Sequence, residues 1–171
     1  MSNVVHRLGF DIVHGCQLRC IGCPNSTLKP KIKTISVDDF SDCLQNIDVE
    51  LVGHIRLFNF GEPLLHPNLP EILSKIPEQS WKYNHVEIST NAQHFDEDML
   101  REIYKSKIVT VMAVSCDGNG TPEDYERLRP PAKWDKLMYF LTEVKKMRDE
   151  YCPNMQLRTR VICNNSEGKH R

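Results

Sequence analysis

At 171 residues, with a formal charge of −1 and 40% hydrophobic residues, the chain is of single-domain length and has the apolar content of one ordinary core. The near-neutral balance excludes an electrostatic case for bulk nucleic-acid or membrane-surface binding, and no apolar run approaches the roughly 18 to 20 residues of a membrane span. No secretory signal opens MSNVVHRLGF, and Cys43, Cys116, Cys152 and Cys163 are scattered singly, so a disulfide framework is poorly supported and a reducing cytoplasm is the expected setting.

Apolar segments rich in β-branched and aromatic residues alternate with stretches of helical spacing, which predicts an α/β fold with parallel strands. A first strand is expected over Leu8 to Val13, where Leu8, Phe10 and Ile12 alternate, and it runs directly into GCQLRCIGCPN. Ser36 opens a helix, with Asp39 as a weak capping box and Phe40, Leu44 and Ile47 on one face. HIRLFNF, His54 to Phe60, is the second strand, followed by Gly61, Glu62 and Pro63. A short helix then carries Leu69, Ile72, Leu73 and Ile76 as far as Pro77.

Val86 to Thr90 is the third strand, ending at Asn91, and Asp96 caps a helix bearing Leu100, Ile103 and Tyr104. Ile108 to Ser115 is the fourth strand, stopping at Cys116, Asp117 and Gly118. A helix from Trp134 to Tyr151 places Trp134, Leu137, Met138, Leu141, Val144, Met147 and Tyr151 on one core stripe. Leu157 to Cys163 supplies a fifth strand, and the polar tail NNSEGKHR is too short to add another βα unit. The expectation is one domain over residues 1–171, a partial (βα) barrel of about five parallel strands with its cysteine loop at 14–25 and no sixth βα unit.

Cys16, Cys20 and Cys23 carry the chemistry. Three soft thiolates within eight residues can hold one metal centre, and a cube of four irons ligated by three of them keeps one iron without a protein thiolate. The rival is zinc, which needs a fourth ligand such as His14, His6 or Cys43. Polar or special residues follow the first four strands in phase, and in a parallel βα fold those ends share the ligand-binding face. Singly, Gly-Glu-Pro and Asp-Gly are ordinary turn chemistry.

Together these segments resemble the radical S-adenosylmethionine (radical SAM) superfamily. The Cys16, Cys20, Cys23 spacing matches its cluster motif, and NFGEPLLHP (Asn59 to Pro67) is similar to its glycine-glutamate-proline segment after strand two. ISTNA (Ile88 to Ala92) and VSCDG (Val114 to Gly118) resemble the segments after strands three and four. DYERLRP with the helix that follows is similar to the peptide-modifying and molybdenum-cofactor branches.

The resemblance implies a [4Fe-4S] cluster on Cys16, Cys20 and Cys23, with its free iron chelated by S-adenosylmethionine. It implies oxidoreductase chemistry in which reductive cleavage gives a 5'-deoxyadenosyl radical that abstracts hydrogen from substrate. By the same resemblance Gly61, Glu62 and Pro63 meet the methionine amino group, Gly61 allowing close backbone approach and Glu62 orienting the loop. Thr90 and Asn91 face the ribose or simply cap the strand end. Ser115 and Asp117 take the methionine carboxylate and the ribose, with a plain turn at Asp117 as the alternative. Arg129 pairs with the carboxylate or is a solvated arginine at a helix start.

Gly22 stands where the family usually has an aromatic residue near the adenine, Phe60 replaces the first glycine of Gly-Gly-Glu-Pro, and Cys116 sits at a more often aliphatic position. The expected partners are a flavodoxin- or ferredoxin-like electron donor, a peptide or small-molecule substrate, and a partner chain closing the short barrel. Alternatives are a small glycyl-radical-enzyme activase and a non-catalytic cluster-binding subunit of a split enzyme. The substrate is not legible, because specificity in such barrels comes from segments beyond the core.

Overall fold

The β-branched runs assemble into one parallel sheet. The computed structural model describes residues 3–161. Its elements follow as β1 (Val4–Val5), β2 (Leu8–Gly9), β3 (Val13–His14), α1 (Pro24–Leu28), β4 (Lys33–Thr34), α2 (Val37–Gln45) and β5 (Leu51–Arg56). A single 3-10 turn (Pro63–Leu65) precedes α3 (Leu69–Ser74), β6 (Lys82–Thr90), α4 (Glu97–Ser106), β7 (Val111–Ser115), α5 (Pro122–Leu128), α6 (Trp134–Tyr151) and β8 (Gln156–Arg160). The sheet order is β1-β5-β6-β7-β8, parallel throughout, and β2 continues the β1 edge along β5. This is the partial barrel expected from the sequence.

The first strand departs from its expected span. It begins earlier, at Val4, and is interrupted between β1 and β2 without a change of register, where the His6 carbonyl lies against Gly53; a Cβ there would stand 2.8 Å from that oxygen. Pairing ends when Phe10 donates to the Arg56 carbonyl at 2.8 Å. Val13 and His14 instead pair antiparallel with Thr34 and Lys33. The second and third strands start earlier than expected, at Leu51 and Lys82, because these residues are each other's partners across the sheet. The fourth starts later, at Val111, and the fifth ends at Arg160. Cys163 and the end of the chain lie outside the described residues.

Strand alternation divides the sheet into two faces. Ile55 pairs in register with Val86, Ile88 with Met112 and Met112 with Leu157, so these five share one face. The residues buried there meet Phe40 and Leu44 of α2, Leu69, Ile72 and Leu73 of α3, and Leu100, Ile103 and Tyr104 of α4. Each such side chain contributes about 1.5 to 3 kcal/mol by burial. Ser36 and Asp96 cap α2 and α4 through Asp39 and Met99 amides, as their sequence pattern predicts. On α6 the buried residues are Leu137, Phe140, Val144 and Met147, spaced three, four and three apart. Met138 is 44% exposed and Phe140 takes its expected place, packing edge-on to Phe95 at 4.9 Å. The other face is polar, with Arg56 beside Glu87, Ser89 beside Ala113, and Ser115 beside Arg160. Among the described residues no helix is long and apolar enough to cross a membrane.

Candidate functional site

The cysteine loop is held by backbone bonds to the end of α5. Arg19 donates its amide to the Pro130 carbonyl at 2.6 Å, and Ile21 donates to Leu128 at 2.8 Å. Within the loop, the Arg19 guanidinium binds the carbonyls of Cys16 and Leu18. Gly22 has φ +80°, a left-handed conformation that a side chain adopts only under strain. That turn accounts for the absence of an aromatic residue there. Cys23 then caps α1, whose first residue is Pro24.

Three thiols therefore stand on one wall of a cavity of about 340 Å³. Burial pushes the Cys20 thiol up to about 11, with the Arg129 charge opposing it and Cys16 and Cys23 adding to it. Burial also raises Cys16, whose sulfur accepts from the Leu18 amide at 3.4 Å and from Asn91 Nδ2 at 3.3 Å. The N–H donors aimed at the Cys16 sulfur favour its thiolate against that burial, and a metal centre would supply the positive charge that offsets the desolvation of Cys16 and Cys20. Among the described residues no group of three His, Cys, Asp or Glu is closed around a metal ion. Neither His6, His14 nor Cys43 lines the cavity.

The opposite wall is the loop after β5. Asp11, just past β2, accepts from the Gly61 amide at 3.0 Å and the Phe60 amide at 3.3 Å. Glu62 donates its amide to the Gly15 carbonyl at 3.2 Å. Its buried carboxylate accepts from the amides of Leu64 at 3.1 Å and Asn91 at 2.7 Å, and from the Thr90 side chain. Glu62 is thus a tie between strand ends. Gly61 and Glu62 line the cavity, whereas Pro63 starts the buried 3-10 turn and does not.

Burial raises Glu62 from 4.5 to about 7 against its hydrogen bonds from Asn91, Thr90 and Leu64. A carboxyl with a raised folded value binds its proton in the native state over a range where the unfolded chain has lost it. Its contribution is therefore fully present below pH 4.5 and lost as pH rises to about 7. At 1.36 kcal/mol per unit this is on the order of 3 kcal/mol. Glu62→Gln is expected to flatten that fall in urea-unfolding free energy. An unchanged slope between pH 4.5 and 7 would assign it to other groups.

Asn91 pairs amide to amide with Gln17 at 3.0 and 3.1 Å and accepts from the Gln93 amide at 3.0 Å, so its side chain fastens the cysteine loop to β6. Thr90 and Ser115 line the cavity, as do Asp117 and Arg129. Arg129 is neither solvated nor at a helix start: it is the C-cap of α5, buried, and ion-paired to Asp117. Its Nε is buried without a hydrogen-bond partner, which leaves an unsatisfied donor in the cavity wall. Ile21 and Phe60 are half exposed there, at 50% and 53%.

Sequence reasoning missed Asp11, Gln17 and Asn25, the last of which donates to the Phe60 carbonyl at 2.8 Å. Each acts on a segment far along the chain, and only the polar interruption of an apolar strand at Asp11 offered a local signal.

The family model of the radical SAM superfamily matches residues 11–155. Among solved structures the fold is similar to native anSMEcpe with bound AdoMet, at 17% identity and TM-score 0.64, covering 93% of this chain and 43% of that one. It is similar to anSMEcpe with bound AdoMet and Cp18Cys peptide, at 15% identity and TM-score 0.65 over 95% and 43% of the two chains. It is also similar to BtrN in complex with AdoMet and 2-DOIA, at 17% identity and TM-score 0.57 over 98% and 59%. At these identities the likeness is one of fold, and the chain spans less than half of anSMEcpe. No curated protein matches it.

Proposed function

This chain belongs to the radical SAM superfamily, whose members bind a [4Fe-4S] cluster and S-adenosylmethionine, and we propose that Cys16, Cys20 and Cys23 hold the one and the adjoining cavity the other. When bound and reduced by an external donor, the cluster held by Cys16, Cys20 and Cys23 would supply one electron for reductive cleavage of S-adenosylmethionine and so the radical chemistry that abstracts hydrogen from a substrate. The observation that carries this reading is convergence. The cysteine loop and the ends of β5, β6 and β7 line one cavity, and a buried arginine in its wall has a donor without a partner.

The residues divide the work. Asp11 and Glu62 fix the loop at Gly61 and Glu62 so that its backbone faces the methionine amino group. Arg129, held by Asp117, offers its guanidinium to the carboxylate. Thr90, Asn91 and Ser115 bound the ribose side, and Phe60 and Ile21 supply exposed apolar surface for the adenine in the place of the missing aromatic at Gly22. The protein would work in the reducing cytoplasm with a flavodoxin- or ferredoxin-like donor. A second reading is a cluster-bearing subunit of a split enzyme, in which another segment or chain pairs with the outer edge of β8.

Anaerobic reconstitution with iron and sulfide is expected to give the cluster and, with dithionite, 5'-deoxyadenosine from S-adenosylmethionine. Arg129→Gln should weaken equilibrium binding of S-adenosylmethionine by about tenfold or more, as expected for loss of a charge-assisted bond. Uptake of a single zinc and no cluster would overturn the reading, and a cluster without cleavage would favour the subunit.

A further inference from the structure

The polar face of the sheet holds a group of cations outside the roles assigned above. Glu87, 1% exposed, is its one buried carboxylate. One oxygen is paired with Arg160, and the other is 2.9 Å from His54 Nε2. Arg56 and Arg160 both lie over the ring of Phe58, at 4.4 and 5.1 Å from its centroid. Burial is the main cause that lowers Arg56, Glu87 opposes it, and the charges of Arg160 and Arg7 add to the lowering.

Arg56 is therefore the cation left over. Its Nε is buried without a hydrogen-bond partner, although Glu87 is its neighbour in register. Asp11, the other carboxylate nearby, is engaged by the amides of Phe60 and Gly61. Arg7, Arg56, Asp11 and Phe58 line a recess of about 340 Å³. Phe58 and Asn59 also line the cavity that the cysteines face, so the two spaces share a wall. The guanidinium groups repel one another, Glu87 and the face of the Phe58 ring offset part of that repulsion, and a further anion in the recess would offset more of it.

We propose that this recess is the anchor for an oxyanion of the substrate, a carboxylate or phosphate gripped by the guanidinium fork of Arg56 with Arg7 beside it. The anchor rests on the reading of the neighbouring cavity as the S-adenosylmethionine site. It fixes an acidic substrate from the floor of the barrel while the carbon that yields hydrogen faces the cysteine side. The planar fork of arginine suits two-point capture of either oxyanion.

Calorimetric titration of the reconstituted protein with inorganic phosphate and, separately, with succinate tests it and tells the two sources apart. At least one should bind, Arg56→Gln should weaken that binding by about tenfold or more, Arg56→Lys should recover part of it, and Arg101→Gln on the exposed side of α4 should change nothing. Phosphate should also slow labelling of Arg56 and Arg7 in the unaltered protein by an arginine-selective dicarbonyl, a readout that holds should Arg56→Gln fail to fold. Equal affinity in Arg56→Gln, no binding of either anion, or labelling indifferent to phosphate overturns the anchor. S-adenosylmethionine affinity measured on the same samples separates the two claims. A protein that binds it but shows no Arg56-dependent anion binding loses the anchor alone, and one that binds the anion through Arg56 but not S-adenosylmethionine loses the cofactor reading.

Discussion

Cys20→Ala is expected to reduce iron and sulfide uptake on anaerobic reconstitution to background and to remove the broad visible absorption of the cluster. Cys20 is the middle thiol of the trio, and it feels both other thiols and the opposing charge of Arg129. Losing it leaves two soft ligands where three are needed. The effect should be specific to ligation. The loop is fastened through the amides of Arg19 and Ile21 to the carbonyls of Pro130 and Leu128, and the Cys20 sulfur takes no part in that fastening. Far-ultraviolet circular dichroism should therefore stay unchanged. Cys43 is exposed on α2 and Cys152 packs at the end of α6, so Cys43→Ala and Cys152→Ala should assemble the cluster normally. Retention of iron by Cys20→Ala, or its loss in Cys43→Ala, would assign the centre to other ligands.

The order of the main strands and helices is legible because the central strands are apolar runs closed by turn signals, α2 and α4 have capped amphipathic stripes, and α6 has its stripe without a side-chain cap. Boundaries are less so. Lys82 to His85 are polar and exposed in part, and they form strand only because Leu51 to His54 pair with them. The two short helices α1 and α5 open with proline at the first turn, a readable start, but neither is long enough to show a periodic stripe. The split of the first strand depends on Gly53, forty-seven residues beyond His6 in the chain, and no local pattern announces it.

The site divides along the same line. The cysteines, Gly61, Glu62, Pro63, Thr90, Asn91, Ser115, Asp117 and Arg129 are named from their places after strands and from the resemblance to the radical SAM family, and all but Pro63 line one cavity. What each side chain touches was not legible. Asn91 binds Gln17 and Cys16 across 74 and 75 residues of chain, and Asp11 binds Gly61 across 50. Arg129 looked like a solvated arginine because its partner Asp117 comes from the loop after another strand. Residue types at strand ends are a sequence property, whereas hydrogen bonds between strand ends exist only after the sheet has set their spacing.

Gly61 has a reason within the fold beside the close ligand approach expected for it. The Cβ of an alanine at this position would overlap the Val13 carbonyl oxygen, 2.7 Å from the Val13 carbonyl carbon and 2.8 Å from Asp11 Oδ1. Neither neighbour can retreat cheaply. Val13 is paired with Thr34, Ile12 accepts from the Ile35 amide at 3.1 Å, and Asp11 holds the amides of Phe60 and Gly61. The loop itself must move, which breaks those two bonds and the Glu62 amide bond to Gly15, and pulls the Glu62 carboxylate from Asn91. Gly61→Ala is therefore expected to destabilise the protein by about 3 kcal/mol or more, in the range of overpacked backbone contacts, read as a lowered urea midpoint. Where the variant still folds, S-adenosylmethionine affinity should fall by about tenfold or more, because the displaced edge is the one proposed to meet the methionine amino group. Gly9→Ala is the control: a Cβ there meets nothing within 4 Å, and its midpoint should stay near that of the unaltered protein. A Gly61→Ala midpoint as high as the Gly9→Ala one would mean that the 60–62 loop yields freely, and the tie between the cysteine loop and the ends of β5 and β6 would not be what shapes the cavity.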